Sequence, residues 1–322
     1  MNARGRKNTP TPTARRDTEL PSRRAVLSTG LRLSALAGVG LGALTSCADE
    51  RPVAAGSRHE GTDAGDDVLP SQSSSAPSVG GGPLVTGSFT SKKMGGAQTR
   101  WALTRPAGVT GTLPVVIVAH ALNTNERTIF DEPLAIGRVL QDHVNAGNAP
   151  FAIAAVDGGR NYWHPRTDGT DAAAMVIDEF LPMLAADPEL AISTERIGLF
   201  GWSMGGYGAL RIGAILGAPR VTAIAVSSPA LWADPRNFAP RAFDNITDYQ
   251  QNSLFGAQDA FRRIPVMIAI GTSDQFYTYT RQWASGLHPP AAFTAGPGGH
   301  TNTYWGGVLP DQIQFLGREL TD

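Results

Sequence analysis

Apolar residues take two spacings along this chain, and the changes of spacing mark its elements. Short unbroken runs stand at Val115–Val118, Phe151–Val156, Ile197–Phe200, Val221–Val226 and Val266–Ile270. Runs of this length, apolar but for Gly198 and Thr222, predict strands covered on both faces. Helical patterns fall between them, at Arg138–Asn145, at Asp171–Ala186 with Asp171 as N-cap, and at Tyr207–Leu216. Leu84–Thr90 and Arg100–Thr104 predict an opening hairpin, Ala291–Thr294 a last short strand, and Asp311–Leu320 a closing helix. Such alternation predicts an α/β domain, a mainly parallel sheet with helices on both faces. Residues 232–256 fit neither spacing and read as a short insertion over the sheet, where pocket-covering loops tend to lie.

The first 82 residues follow another logic. Ser22-Arg-Arg-Ala-Val-Leu27 follows a basic segment and precedes an apolar run from Leu33 to Leu44. A run of about a dozen residues is too short to cross ~30 Å of hydrocarbon as a helix. It reads as the core of a twin-arginine export signal, a route that implies folding before export. Leu44-Thr-Ser-Cys47 ends the run and resembles the lipobox of bacterial lipoproteins; Cys47 is the chain's single cysteine. The resemblance implies lipidation of Cys47 and a membrane anchor, with a secreted soluble protein as the alternative. Residues 47–82 are rich in Gly, Ser, Ala, Pro and acidic residues, which predicts a disordered tether. The expected organisation is therefore a signal at 1–46, a tether at 47–82 and a catalytic domain at 83–322.

Removing the signal changes the electrostatics. Residues 1–46 hold eight of the 27 basic and two of the 28 acidic residues, so the remainder carries a formal charge of −7. That argues against nucleic acid as a partner.

Candidate chemistry centres on Gly201-Trp-Ser-Met-Gly205, between a predicted strand and a predicted helix. In that context Gly-x-Ser-x-Gly forms a nucleophile elbow, which lifts the serine hydroxyl above the sheet. Ser203 then needs a base and a third group to orient the base, in the order Ser, Asp/Glu, His. Two histidines follow it, His288 before the last strand and His300 after it. His300 ends a Gly296-Pro-Gly-Gly turn able to aim it back at the elbow, so it is the expected base. Asp274, just beyond the strand at 266–270, is the expected acid; Asp234, Asp244, Asp248 and Asp259 lie in polar or helical stretches. The backbone N–H of Met204 and that of Leu122, with Ala121 a near alternative, are the expected oxyanion donors. His120, upstream of Ser203, reads as a loop-packing residue.

Asp157-Gly-Gly-Arg-Asn-Tyr-Trp163, Met175-Val-Ile-Asp-Glu-Phe-Leu-Pro182, Gly201-Trp-Ser-Met-Gly-Gly-Tyr-Gly208 and Gly299-His300 resemble the esterase D branch of α/β-hydrolases. That branch includes S-formylglutathione hydrolases, feruloyl-type esterases and antigen 85 mycolyltransferases. The resemblance implies an α/β-hydrolase fold with ester or thioester acyl chemistry, and supports Ser203, Asp274 and His300. It leaves the substrate open, although an export signal counts against the glutathione-linked activity.

Tyr162, Trp163 and Trp232 are candidates for a substrate pocket. Asp178 and Glu179, adjacent on a helix, point to different faces and read as surface or anchoring groups. The sequence contains no His-Glu-x-x-His, paired-cysteine or phosphate-loop motif, so neither a metal nor another cofactor is expected. The leading expectation is a serine carboxylesterase acting through an acyl-enzyme on a small-molecule or lipid ester. An acyltransferase delivering to a sugar or lipid alcohol shares the same triad and is the alternative. A non-catalytic binding lipoprotein is the remote third reading, against which the complete Ser-Asp-His set argues.

Overall fold

The strand signals assemble into one sheet. The structure, a computed structural model, describes residues 74–77 and 80–321. Nine strands lie in the order β1-β2-β3-β5-β4-β6-β7-β8-β9. They are β1 (Ser74–Pro77), β2 (Pro83–Ser91), β3 (Ala97–Thr104), β4 (Leu113–Ala119), β5 (Ala152–Val156), β6 (Ile192–Trp202), β7 (Val221–Ser227), β8 (Val266–Gly271) and β9 (Ala292–Gly296). The first four in the sheet pair antiparallel, and from β5 to β9 every pairing is parallel. This is the α/β-hydrolase architecture expected from the alternation.

Alternate side chains of β4 explain its unbroken apolar run. Val115, Ile117 and Ala119 enter one core and Val116 and Val118 the other, all at most 2% exposed. Two helices, α1 (Ile136–Asn145) and α7 (Asn302–Thr321), cover the second face, where Leu140, Ile313 and Leu316 join the core. The first face carries α2 (Ala172–Met175), α3 (Leu181–Ala186), α4 (Met204–Leu216) and, later in the chain, α6 (Tyr277–Ala284).

The helix read across 171–186 is continuous, and the Asp171 carboxylate caps it by accepting from the Ala174 N–H at 3.0 Å. One wider π turn, Val176–Phe180, joins α2 to α3. It precedes Pro182, which has no N–H to donate and whose ring crowds the carbonyl four residues back. The Glu179 carboxylate accepts from Ser91 Oγ and from the N–H groups of Lys92 and Lys93, so it anchors the β2–β3 hairpin.

Four elements depart from the sequence reading, the unread helix α6 among them. The strand β1 lies inside the stretch read as tether; pairing through backbone groups alone requires no apolar pattern, so a Ser-Ser-Ala-Pro segment hides it. Helix α7 begins at Asn302 rather than Asp311. Its first half holds Gly306, Gly307 and Pro310, poor helix formers that tertiary packing of Trp305 and Leu309 overrides. The insertion after β7 contains a helix of its own, α5 (Ile246–Asn252), capped by Asn245 accepting from the Asp248 N–H at 3.0 Å. The twin-arginine segment, Cys47 and the rest of the expected tether up to residue 73 lie outside the described residues.

Candidate active site

Parallel pairing brings the ends of β4, β6, β7, β8 and β9 to one edge of the sheet. Ser203 follows β6 at φ 54°, ψ −121°, a conformation in which an L-residue is strained. Its N–H donates to Ser227 O at 3.0 Å, and its C=O accepts from Ala230 N–H at 2.9 Å, so the neighbouring β7 holds the turn. The two motif glycines are required by space. A Cβ at Gly201 would meet Gly205 O at 2.1 Å, and one at Gly205 would meet Ala119 O at 1.9 Å. The start of α4 is thereby pressed against the end of β4.

Asp274 and His300, the expected acid and base, follow the neighbouring strands β8 and β9. Gly271 pairs with Gly296 in the β8–β9 ladder, and beyond it Ser273 N–H donates to Gly298 O at 2.9 Å. The loops that carry Asp274 and His300 therefore run side by side. His300 Nδ1 lies 2.9 Å from Asp274 Oδ2, and His300 Nε2 lies 2.8 Å from Ser203 Oγ. The imidazole is held between two rings, Phe276 at 5.3 Å and Trp305 at 4.9 Å, both edge-on. The Asp274 side chain is 0% exposed. Burial pushes its carboxyl up, but hydrogen bonds from His300, the Phe276 N–H and the Ser228 hydroxyl outweigh burial and hold it below the ordinary carboxylate range. A carboxylate, ionised and fully bonded, is suited to fix the tautomer of a base.

The remaining expected groups fall around this line. Met204 opens α4 and is buried, so its N–H belongs to the first-turn amides that have no acceptor inside the helix. Leu122 is half-buried in the loop after β4, against which the start of α4 packs. His120 is buried; its Nε2 accepts from Gly158 N–H at 2.9 Å, leaving its Nδ1–H to donate to Ala121 O at 2.8 Å. That is the packing role read from its position. His288 is exposed, and no side-chain hydrogen bond joins it to this line.

The family model for Esterase matches residues 91–316, which contain every one of these groups. The chain belongs to the Esterase family. It is an ester-hydrolysing enzyme on the α/β-hydrolase fold. No curated protein sequence matches it. Among solved structures it is similar to a ferulic acid esterase, with 19% identity, a TM-score of 0.62, and coverage of 73% of this chain and 97% of that one. It is also similar to fluorophosphonate-binding serine hydrolase F of Staphylococcus aureus, at 16% identity, TM-score 0.61, 74% of this chain and 99% of that one. For an S-formylglutathione hydrolase from Agrobacterium tumefaciens the values are 14%, 0.61, 77% and 98%. At these identities the likeness establishes the shared fold.

The candidate pocket residues of this esterase divide. Trp163 is 0% exposed: its indole fills the space left by Gly208, where a Cβ would come within 2.4 Å, and its Nε1–H donates to His120 O at 3.3 Å. It is a core residue, which corrects its assignment to a pocket wall. Tyr162 and Trp232 stack obliquely at 5.9 Å, and Trp232 meets Phe276 edge-on at 5.3 Å. These contacts form a row of rings that ends at His300, all three of them buried at 5 to 7% exposed. Phe276 and Ser228 are site residues that the sequence reading passed over. The signal for Ser228 was available: it is the first residue past the end of β7, beside the elbow.

Proposed function

We propose that this esterase uses Ser203, His300 and Asp274 as a catalytic triad and works through an acyl-enzyme, on the esterase D-like branch of its fold. The observation that carries the reading is the unbroken line Asp274–His300–Ser203, with hydrogen-bond distances of 2.9 and 2.8 Å. Ser203 Oγ attacks the ester carbonyl carbon as His300 Nε2 takes its proton. The resulting oxyanion is held by the N–H groups of Met204 and Leu122, donors fixed before the charge develops. The intermediate collapses, the bond to the alcohol breaks, and His300 returns the proton to the departing oxygen. Water, deprotonated by the same nitrogen, attacks the acyl carbon; the second collapse frees the carboxylic acid and restores Ser203. Asp274 keeps the Nδ1–H of His300 in place and stabilises the imidazolium, and takes no proton itself.

The row of rings from Tyr162 through Trp232 to Phe276, which meets His300, supports a small-molecule ester with an apolar group beside the scissile bond. With p-nitrophenyl esters of increasing acyl length, the full chain is expected to release a burst of p-nitrophenolate equal to the enzyme present. An acid quench during turnover then leaves the acyl mass on the peptide containing Ser203; a turnover that leaves no adduct there excludes the acyl-enzyme. Adding glycerol or trehalose distinguishes the two fates of that intermediate, since acylated alcohol formed in place of free acid identifies a transferase.

From the Ser22–Leu27 and Leu44–Cys47 motifs we further propose that the enzyme acts outside the cytoplasm, tethered through a lipid on Cys47 after twin-arginine export. Two acyl chains suffice for a stable anchor. Cys47→Ala is expected to move the protein from the membrane fraction to the soluble fraction; retention at the membrane rules out the anchor.

A further inference from the structure

The turn that carries the Leu122 N–H is fastened from outside the triad. Leu122 and Asn123 are its two central residues, closed by the Thr124 N–H donating to Ala121 O at 3.3 Å, with Asn123 at φ 62°. Among the described residues the Leu122 N–H has no hydrogen-bond partner, as a donor kept for an oxyanion requires. Three links tie residues 120–126 to the loop after β5. His120 Nε2 accepts from the Gly158 N–H at 2.9 Å, and Asn123 Oδ1 accepts from Arg160. The third link is a fork. Arg100, on β3, donates from Nε to Glu126 Oε1 at 3.1 Å and from Nη2 to Asp157 Oδ2 at 2.6 Å. One guanidinium thus holds two carboxylates, one from each loop.

We propose that Arg100 is a positioning residue for the Leu122 oxyanion donor, holding the turn that carries it through Glu126 and Asp157. The proposal rests on the oxyanion reading above and concerns a residue bonded to no member of the triad. Burial gives the fork its force. The Glu126 side chain is 4% exposed and its Oε2 is buried without a partner, so Arg100 is the one cation that pairs it among the described residues. A buried carboxylate needs such a partner. Removing the guanidinium leaves Glu126 uncompensated, with a second carboxylate beside it, and the loop relaxes toward solvent. A lysine ammonium keeps the charge and loses the planar fork that spans both acids. A donor displaced in this way weakens the transition state more than the bound ester, because the charge it meets develops only there.

Arg100→Gln in the full chain is expected to lower kcat about thirtyfold and Arg100→Lys about tenfold, short of the roughly 10²–10³-fold that loss of a whole donor costs. Both half-reactions build an oxyanion, so acylation and deacylation slow together and KM stays nearly unchanged. Phenylboronic acid reads the donors directly: Ser203 Oγ adds to the boron, its proton passes to His300, and a boronate oxygen takes the oxyanion's place. Its affinity should fall about thirtyfold in Arg100→Gln, in step with kcat. A purely structural role would reduce only the number of active sites, counted by the p-nitrophenolate burst. Parental kcat per active site with parental boronate affinity, or a loss carried by KM alone, overturns the proposal and leaves the Ser203 adduct intact. Absence of that adduct in the parent overturns the acyl-enzyme reading beneath it, so the two failures are distinguishable. If Arg100→Gln does not fold, the same two measurements on Arg100→Lys decide the matter.

Discussion

Ser203→Ala is expected to reduce kcat/KM for a p-nitrophenyl ester by about 10⁴- to 10⁶-fold while the melting temperature stays within a few degrees of the parent. The hydroxyl is the only atom removed, and the backbone that holds residue 203 at positive φ is fixed by contacts of its main chain. Those contacts, to Ser227 O and Ala230 N–H, survive the substitution. The hydrogen bond lost to His300 is worth about 1 kcal/mol, too little to unfold the domain. Residual turnover above the uncatalysed rate would come from the oxyanion donors and from substrate binding. Steady-state kinetics with a thermal melt on the same sample checks both halves, and a loss below about tenfold would remove Ser203 from the nucleophile's place.

Asp274→Asn should be nearly as damaging, with kcat reduced about 10⁴-fold and KM little changed. The reason lies in where the new amide must point. One oxygen of Asp274 accepts from the Phe276 N–H at 2.9 Å, and the other faces His300 Nδ1 at 2.9 Å. The asparagine carbonyl has to remain with the Phe276 donor, which turns its NH₂ toward His300 Nδ1. That nitrogen then becomes the acceptor, the imidazole carries its proton on Nε2, and Nε2 can no longer take the proton of Ser203. Kinetics across pH give the check: the large loss should persist on the neutral plateau. A variant within tenfold of the parent there would show that Asp274 does not orient the base.

The parts of this molecule that were legible in advance share a physical cause. The central runs of β4 to β8 are buried on both faces, so nearly every residue in them had to be apolar, and the runs could be read without knowing their neighbours; the exposed Glu195 and Arg196 fall in the leading part of β6, outside the run at 197–200. The elbow was legible because two glycines are forced by backbone atoms about 2 Å from where a Cβ would be. Asp274 and His300 were legible because chain order restricts the choices after Ser203. What was missed depends on contacts between distant segments. The first half of α7 contradicts local propensity and is held by Trp305 and Leu309 in the core. Trp163, read as a pocket residue from its place after a strand, is buried because Gly208 on another element leaves room for it. Helix α6 opens Tyr-Thr-Tyr-Thr, a composition suited to a strand, and Thr280 and Trp283, three residues apart, are its fully buried positions.

Helix α7 begins two residues after His300 and is the last of the described elements, packed on α1 and on β6, β7 and β8. Gln312, from the middle of that helix, accepts a hydrogen bond from Ser227 beside the elbow. On the triad proposed above, His300 is seated against α7, whose Trp305 ring lies on its imidazole. Ser203 then leaves the ribosome almost a hundred residues ahead of its proposed base and waits without a partner. A truncation into α7 is expected to leave a sheet with an inert serine.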